Sequence, residues 1–207
     1  HVHFRDPGLT HKGDMATESH AAAAGGVTSL IDMPNTSPAP VTVEALEDKK
    51  ARASQVATAN YGFFIGATNT NLPTLLSVDY TGCAGVKVLL GSSTGNMLVN
   101  DDNIIRRIFA EVPALIAVHA EDERLIAERR AAVTERYGTE LEMEFHPVIR
   151  NHEVCRRATA AAVELARATG ARLHVCHIST ADELQYFSAG PVEQKRITAE
   201  TGPQYLF

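Results

Sequence analysis

The stretch Ala114-Leu115-Ile116-Ala117-Val118-His119-Ala120-Glu121-Asp122 decides the reading of the fold. Its first five residues are apolar without alternation, so a strand formed there is covered on both faces, as in a parallel sheet between other layers. The run then ends abruptly in a histidine and two acids, and a helical stretch follows over 121–137. This order, a short apolar run, a polar end and a longer helical stretch, recurs along the chain. Strands are expected at 1–4, 27–33, 60–65, 85–90, 114–119, 172–177 and 196–199. Helices are expected over 14–24, stopped by Gly25-Gly26, and over 42–57, with Thr42 as cap and Glu44 in the first turn. Another runs from Asn100 or Asp101 to Glu111 ahead of Pro113, and the two longest cover 121–137 and 153–169. Thr180 and Glu183 form a capping box ahead of a last helix reaching about Phe187.

A regular β-then-α order predicts an α/β protein with a parallel sheet. Seven such units in one domain favour the TIM-type (β/α)8 barrel, here incomplete by one strand. The doubly wound open sheet is the alternative, but it usually carries a glycine-rich fingerprint after its first strand. Neither G-x-G-x-x-G nor a Walker A motif is present. No internal repeat, low-complexity tract or linker interrupts the chain, so residues 1–207 read as one partial barrel domain.

Composition narrows the function. At 207 residues the chain can bury a substantial core, and 44% hydrophobic with 21% charged residues is ordinary for a globular protein. A net charge of −6 argues against a nucleic-acid partner, whose binding depends on cationic neutralisation of phosphates. No apolar run approaches the ~18 residues of a membrane span. The three cysteines, Cys83, Cys155 and Cys176, are odd in number, far apart and without a C-x-x-C, and read as buried free thiols in a reducing compartment, hence a cytoplasmic protein. In that compartment the sequon Asn35-Thr36-Ser37 carries no meaning. Self-association as a homo-oligomer stays open.

In a β/α barrel the chemistry sits at the C-terminal ends of the strands. There the sequence places His1, His3 and Arg5 on one face of the first strand, with Val2 and Phe4 on the other. Two neighbouring imidazoles form a chelate, and the guanidinium beyond them can grip an anion. The second strand ends in Met33-Pro34-Asn35-Thr36, the fourth carries Lys87 between Val86 and Val88, and the fifth and sixth end in His119 and His177. A lysine in so apolar a strand is rarely buried without a partner. As an ammonium it cannot bind a metal. Deprotonated and reacted with carbon dioxide, it becomes a carbamate able to bridge two divalent cations roughly 3.5–4 Å apart. His1 and His3 would then hold one cation, His119 and His177 the other, with Lys87 between them, and this donor set suits zinc. By strand parity His174 should face away from His177, toward the helices. His11, His20, His146 and His152 fall on loops or helix surfaces, and Glu121-Asp122-Glu123 reads as the acidic first turn of a helix. The run Gly91-Ser92-Ser93-Thr94-Gly95-Asn96 reads as an active-site loop or an ordinary turn.

His-x-His after strand one, lysine on strand four and histidines on strands five and six resemble the amidohydrolase superfamily. Within it, His3-Phe4-Arg5-Asp6-Pro7-Gly8 and Asp32-Met33-Pro34-Asn35-Thr36 resemble dihydroorotase motifs, as does the stretch from Thr198 to Leu206. Where dihydroorotases often carry His-His after the proline of that stretch, this chain has Gln204-Tyr205, closer to hydantoinase-like relatives. The resemblance implies zinc-dependent, reversible cyclisation of N-carbamoyl-L-aspartate to L-dihydroorotate in pyrimidine biosynthesis, with a hydroxide shared by the two metals as nucleophile. It implies Arg5 and Asn35 as the residues that hold the substrate carboxylate. It also implies an acid/base aspartate on an eighth strand, expected beyond Phe207, and a small flanking β-domain. Neither is found in 1–207, so the chain is expected to be part of a longer enzyme, with no catalytic acid/base of its own. The alternatives are a hydantoinase- or allantoinase-type hydrolase of cyclic amides and a non-catalytic relative.

Overall fold

A computed structural model describes residues 1–91 and 97–206. Of the run from Gly91 to Asn96, all but Gly91 lies outside the described residues. So does Phe207, and with it the position beyond Phe207 where the acid/base aspartate is expected. Six strands form one sheet: β1 (Ser29–Asp32), β2 (Asn60–Gly66), β3 (Gly85–Leu89), β4 (Leu115–His119), β5 (Arg172–Val175) and β6 (Ile197–Ala199). Every pairing is parallel, and spatial order follows chain order throughout. A doubly wound sheet reverses its order at a switch point. None occurs among the described residues, and the sheet is a curled part of a barrel.

The expected first strand is reduced to a single parallel bridge. The Val2 N–H donates to Ile31 O at 3.0 Å, and the Met33 N–H donates to Val2 O at 3.0 Å. Pairing goes no further because Arg5, at φ 60, turns the chain away just after Phe4. The Asp32 carboxylate strengthens this short junction, accepting the Phe4 N–H at 2.9 Å while it pairs with Lys49 Nζ at 2.7 Å. Both members of that ion pair are buried.

The helices are α1 (Met15–Ala24), α2 (Val43–Val56), α3 (Leu72–Ser77), α4 (Asp102–Glu111), α5 (Glu123–Tyr137), α6 (His146–Ile149) and α7 (His152–Thr169). Their starts follow side-chain capping: Asp14, Thr42, Asp101, Asp122 and Asn151 each accept a first-turn N–H. The expected helix at 121–137 begins at Glu123 because Asp122 is its cap, which leaves Glu121 outside the helix. The Thr180–Glu183 capping box does not form: the Thr180 hydroxyl donates to Glu183 Oε2 at 2.8 Å and caps no backbone N–H, and the segment is a 3-10 turn, Ala181–Tyr186. Thr159 on α7 donates its hydroxyl to the buried Glu183 at 2.6 Å and draws the turn down onto that helix.

The core has two layers. Ile65, Val86, Val88, Ile116, Val118, Leu173 and Val175 point outward onto the helices, and Met33, Phe64, Ala117 and Cys176 cluster separately. All of β3 is buried, including Lys87, the one polar side chain in an otherwise apolar strand. Its first residue, Gly85, has φ +146, and a Cβ there would lie 2.2 Å from the carbonyl oxygen of Leu115 on the neighbouring strand. Gly85→Ala is therefore expected to destabilise the whole protein by roughly 2–6 kcal/mol, from backbone strain plus overpacking, read as a lowered urea midpoint. An unchanged midpoint would show that β3 and β4 can separate at no cost.

Of the three free cysteines, Cys83 and Cys176 are buried and Cys155 is half-buried. Among the described residues no helix is long and apolar enough to cross a membrane.

Candidate metal centre

The sheet register assembles the inner face one strand at a time. Lys87 lies opposite Ala117, Ala117 opposite His174, and His174 opposite Thr198. Val86 and Val88 turn to the helix layer, so parity sends Lys87 inward, where it is buried. Its Nζ donates to Cys176 Sγ at 2.9 Å. The four expected histidines gather around this point as two pairs. His1 Nε2 lies 3.2 Å from His3 Nε2, and His119 Nδ1 lies 3.0 Å from His177 Nε2. The pairs adjoin, with the rings of His1 and His177 centred 5.7 Å apart.

The electrostatics favour neutral rings at His3 and His177. Burial, followed by the charges of Arg5 and Lys87, pushes His3 down to about 4. Burial, followed by His119 and Lys87, does the same for His177, also to about 4. An imidazole neutral at pH 7 keeps a lone pair for a cation. Converging imidazoles beside a buried lysine are a donor set whose chemistry fits divalent cations.

Sequence reasoning missed two acids at this site. Burial raises Glu121, but hydrogen bonds with His119 and Arg150 outweigh it and hold its carboxyl at about 2. Burial likewise raises Glu200, and His174 outweighs it, leaving the carboxyl below its ordinary value. The signal for Glu121 was its place before a cap residue; nothing local marked Glu200. His174 also departs from expectation. It faces Thr198 and Glu200 on the inner side of the sheet, not the helices. Strand parity fails because β5 ends at Val175 and His177 has φ 41, which turns its side chain back toward the same mouth. His1, Cys176 and Glu200 bring donor atoms within 4.8 Å of one another. Cys176 is itself raised by burial and stays a thiol at neutral pH. The remaining histidines, His11, His20, His146 and His152, are exposed and away from this cluster, as their sequence positions suggested.

Beside the histidines lies a second polar spot. Arg5 donates from Nη1 to the backbone oxygen of Asn35 at 3.3 Å. Asn35 is buried, and its Oδ1 has no hydrogen-bond partner among the described residues. A half-buried guanidinium next to an unsatisfied buried amide is suited to a planar polar ligand group.

Comparison with known proteins gives a consistent picture. The family model described as Dihydro-orotase-like matches residues 1–183. Allantoinase from Streptomyces avermitilis is 35% identical, with the alignment covering 100% of this chain and 46% of the relative. Dihydroorotase from Halobacterium salinarum is 34% identical over the same shares, 100% and 46%. The solved structure of L-hydantoinase (dihydropyrimidinase) from Arthrobacter aurescens superposes with a TM-score of 0.88 at 29% identity, covering 100% of this chain and 46% of that one. The chain thus spans about half the length of the relatives it matches.

Proposed function

Since the chain belongs to the dihydro-orotase-like family of the amidohydrolase superfamily, we propose that the whole protein is a metal-dependent hydrolase of a cyclic amide C–N bond, and more narrowly a dihydroorotase. It would interconvert N-carbamoyl-L-aspartate and L-dihydroorotate. Members of the superfamily are generally metal-dependent. Here His1 with His3, and His119 with His177, would hold two divalent cations, with zinc the best match to the ligand types. Lys87 would add through its free amine to carbon dioxide, losing one proton, to give the carbamate that joins the two sites. Bound there, the cations would supply polarisation of the ring carbonyl and activated water near neutral pH.

This chain's own residues would bind and orient. The Arg5 guanidinium takes the substrate carboxylate in a planar, two-bond grip, and Asn35 donates to it from Nδ2, leaving Oδ1 to accept a ring N–H. Those bonds fix the ring so that its amide carbonyl faces the histidine cluster, and fixed orientation removes much of the entropic barrier. The acid/base group is proposed to lie beyond Phe207, outside residues 1–207.

The observation that carries the narrower reading is the half-buried Arg5 guanidinium, which spends Nη1 on the Asn35 backbone oxygen and keeps further N–H donors for a carboxylate. Neutral cyclic ureides offer no carboxylate to it. The hydantoinase or allantoinase reading draws on Gln204-Tyr205 and on the names of two of the relatives above. Assaying the whole protein on dihydroorotate, hydantoin and allantoin separates the two. Dihydroorotate is expected to give the highest kcat/KM; equal or better turnover of either neutral ureide would sink the dihydroorotase assignment.

A further inference from the structure

Each histidine pair contains one ring whose far nitrogen meets a carboxylate. His119 Nε2 lies 2.7 Å from Glu121 Oε2, while its Nδ1 faces His177. His1 Nδ1 meets Glu200 Oε1, while its Nε2 faces His3. Neither carboxylate swings freely. Glu121 is buried and accepts two bonds from Arg150, one of them from Nε to Oε1 at 2.8 Å. The second oxygen of Glu200 lies 3.4 Å from His174 Nε2, and His174 Nδ1 is held 2.9 Å from Thr198 Oγ1. Two chains of contacts result: Arg150 to Glu121 to His119, and Thr198 to His174 to Glu200 to His1.

We infer that Glu121 and Glu200 are positioning residues, one behind each histidine pair, each fixing the tautomer and plane of its ring so that the opposite nitrogen presents its lone pair to a cation. A carboxylate only accepts, so the ring nitrogen facing it carries the hydrogen. In a neutral imidazole the other nitrogen is then the acceptor. The two braces grip opposite nitrogens, Nε2 in His119 and Nδ1 in His1. Either ring in the wrong tautomer would turn an N–H toward the cation and lose a ligand. Such outer partners of ligating histidines typically contribute 10–100-fold to metal affinity. The inference rests on the cation reading of the site proposed above.

The test uses the whole protein with two readouts that do not depend on turnover. In the metal-free protein labelled with 15N-histidine, long-range 1H–15N spectra should show His119 as the Nε2–H tautomer and His1 as the Nδ1–H tautomer. Glu121→Ala should mix the tautomers of His119 alone, and Glu200→Ala those of His1 alone. Zinc titration against a chromophoric chelator, with bicarbonate present, should then show each variant weakening a different one of two ions by about 10–100-fold. The double variant should weaken both. Should an alanine variant fail to fold, Glu121→Gln and Glu200→Gln carry the same readout, because an amide donates as well as accepts and no longer dictates the tautomer. Two tightly bound zinc ions with unchanged tautomers and affinities in folded variants would overturn the positioning role and leave the cation reading standing. A wild-type protein that binds no zinc would overturn both.

Discussion

Lys87→Ala, made in the whole protein, is expected to abolish the paired metal site and with it the turnover of dihydroorotate. Alanine fits the space, since Lys87 sits in a strand whose neighbours are valines and whose inner side faces Ala117 and Cys176. The variant should therefore fold, and its loss is one of chemistry. Removing a single electrostatic stabiliser of a transition state costs roughly 10²–10³-fold. Losing the group that joins both cations should exceed that, because each cation then loses a ligand and the spacing between them. Two measurements decide the matter: metal content after zinc and bicarbonate loading, and kcat/KM. Acetate or propionate, small enough to enter the space left by the side chain, should restore part of both. Full metal content and full rate in Lys87→Ala would remove the bridging role.

Arg5→Met is expected to act on substrate choice and leave the chemistry intact. A charge-assisted hydrogen bond contributes about 1.5–3 kcal/mol, so losing a two-bond grip should cost about 3–6 kcal/mol. With 1.4 kcal/mol per factor of ten, kcat/KM on dihydroorotate should fall by roughly 10²–10⁴. Hydantoin has no carboxylate, and any slow turnover of it should change little. Methionine retains much of the side-chain length and occupies the same φ 60 backbone position with no added branching, so the turn after Phe4 should survive. An equal loss on both substrates would make Arg5 a structural residue. No loss on dihydroorotate would place the carboxylate elsewhere.

Much of this arrangement was legible in the sequence because a strand has a simple period. Val86-Lys87-Val88 has one inward and two outward side chains whatever the details, and the apolar run 115–118 admits only a covered strand. His119 and His177 could be placed because each closes such a run, and His1 and His3 because alternation puts them on one face. Parity stopped working where the strands stopped. His177 lies past the end of β5 at positive φ, and the inference that His174 faced the helices failed with it. The first strand shrank to one bridge because Arg5 turns the backbone, which no residue-type pattern around His1-Val2-His3 announced. Helices α3 and α6 were too short to show a helical period, and both carry a proline in the first turn. Glu121 was hidden by its neighbours: three acids in a row read as one helix start, when the middle one is the cap and the first belongs to His119. Glu200 comes to His1 across the width of the sheet, a contact set by curvature alone.

The most direct test of the two-cation site is a crystal structure of the whole protein grown with zinc and bicarbonate, with anomalous data collected at the zinc edge. Two peaks are expected, one against His1 and His3 and one against His119 and His177, with electron density extending past Lys87 Nζ to join them. A single peak, a peak held by other residues, or density that ends at Nζ between two separate ions would contradict it.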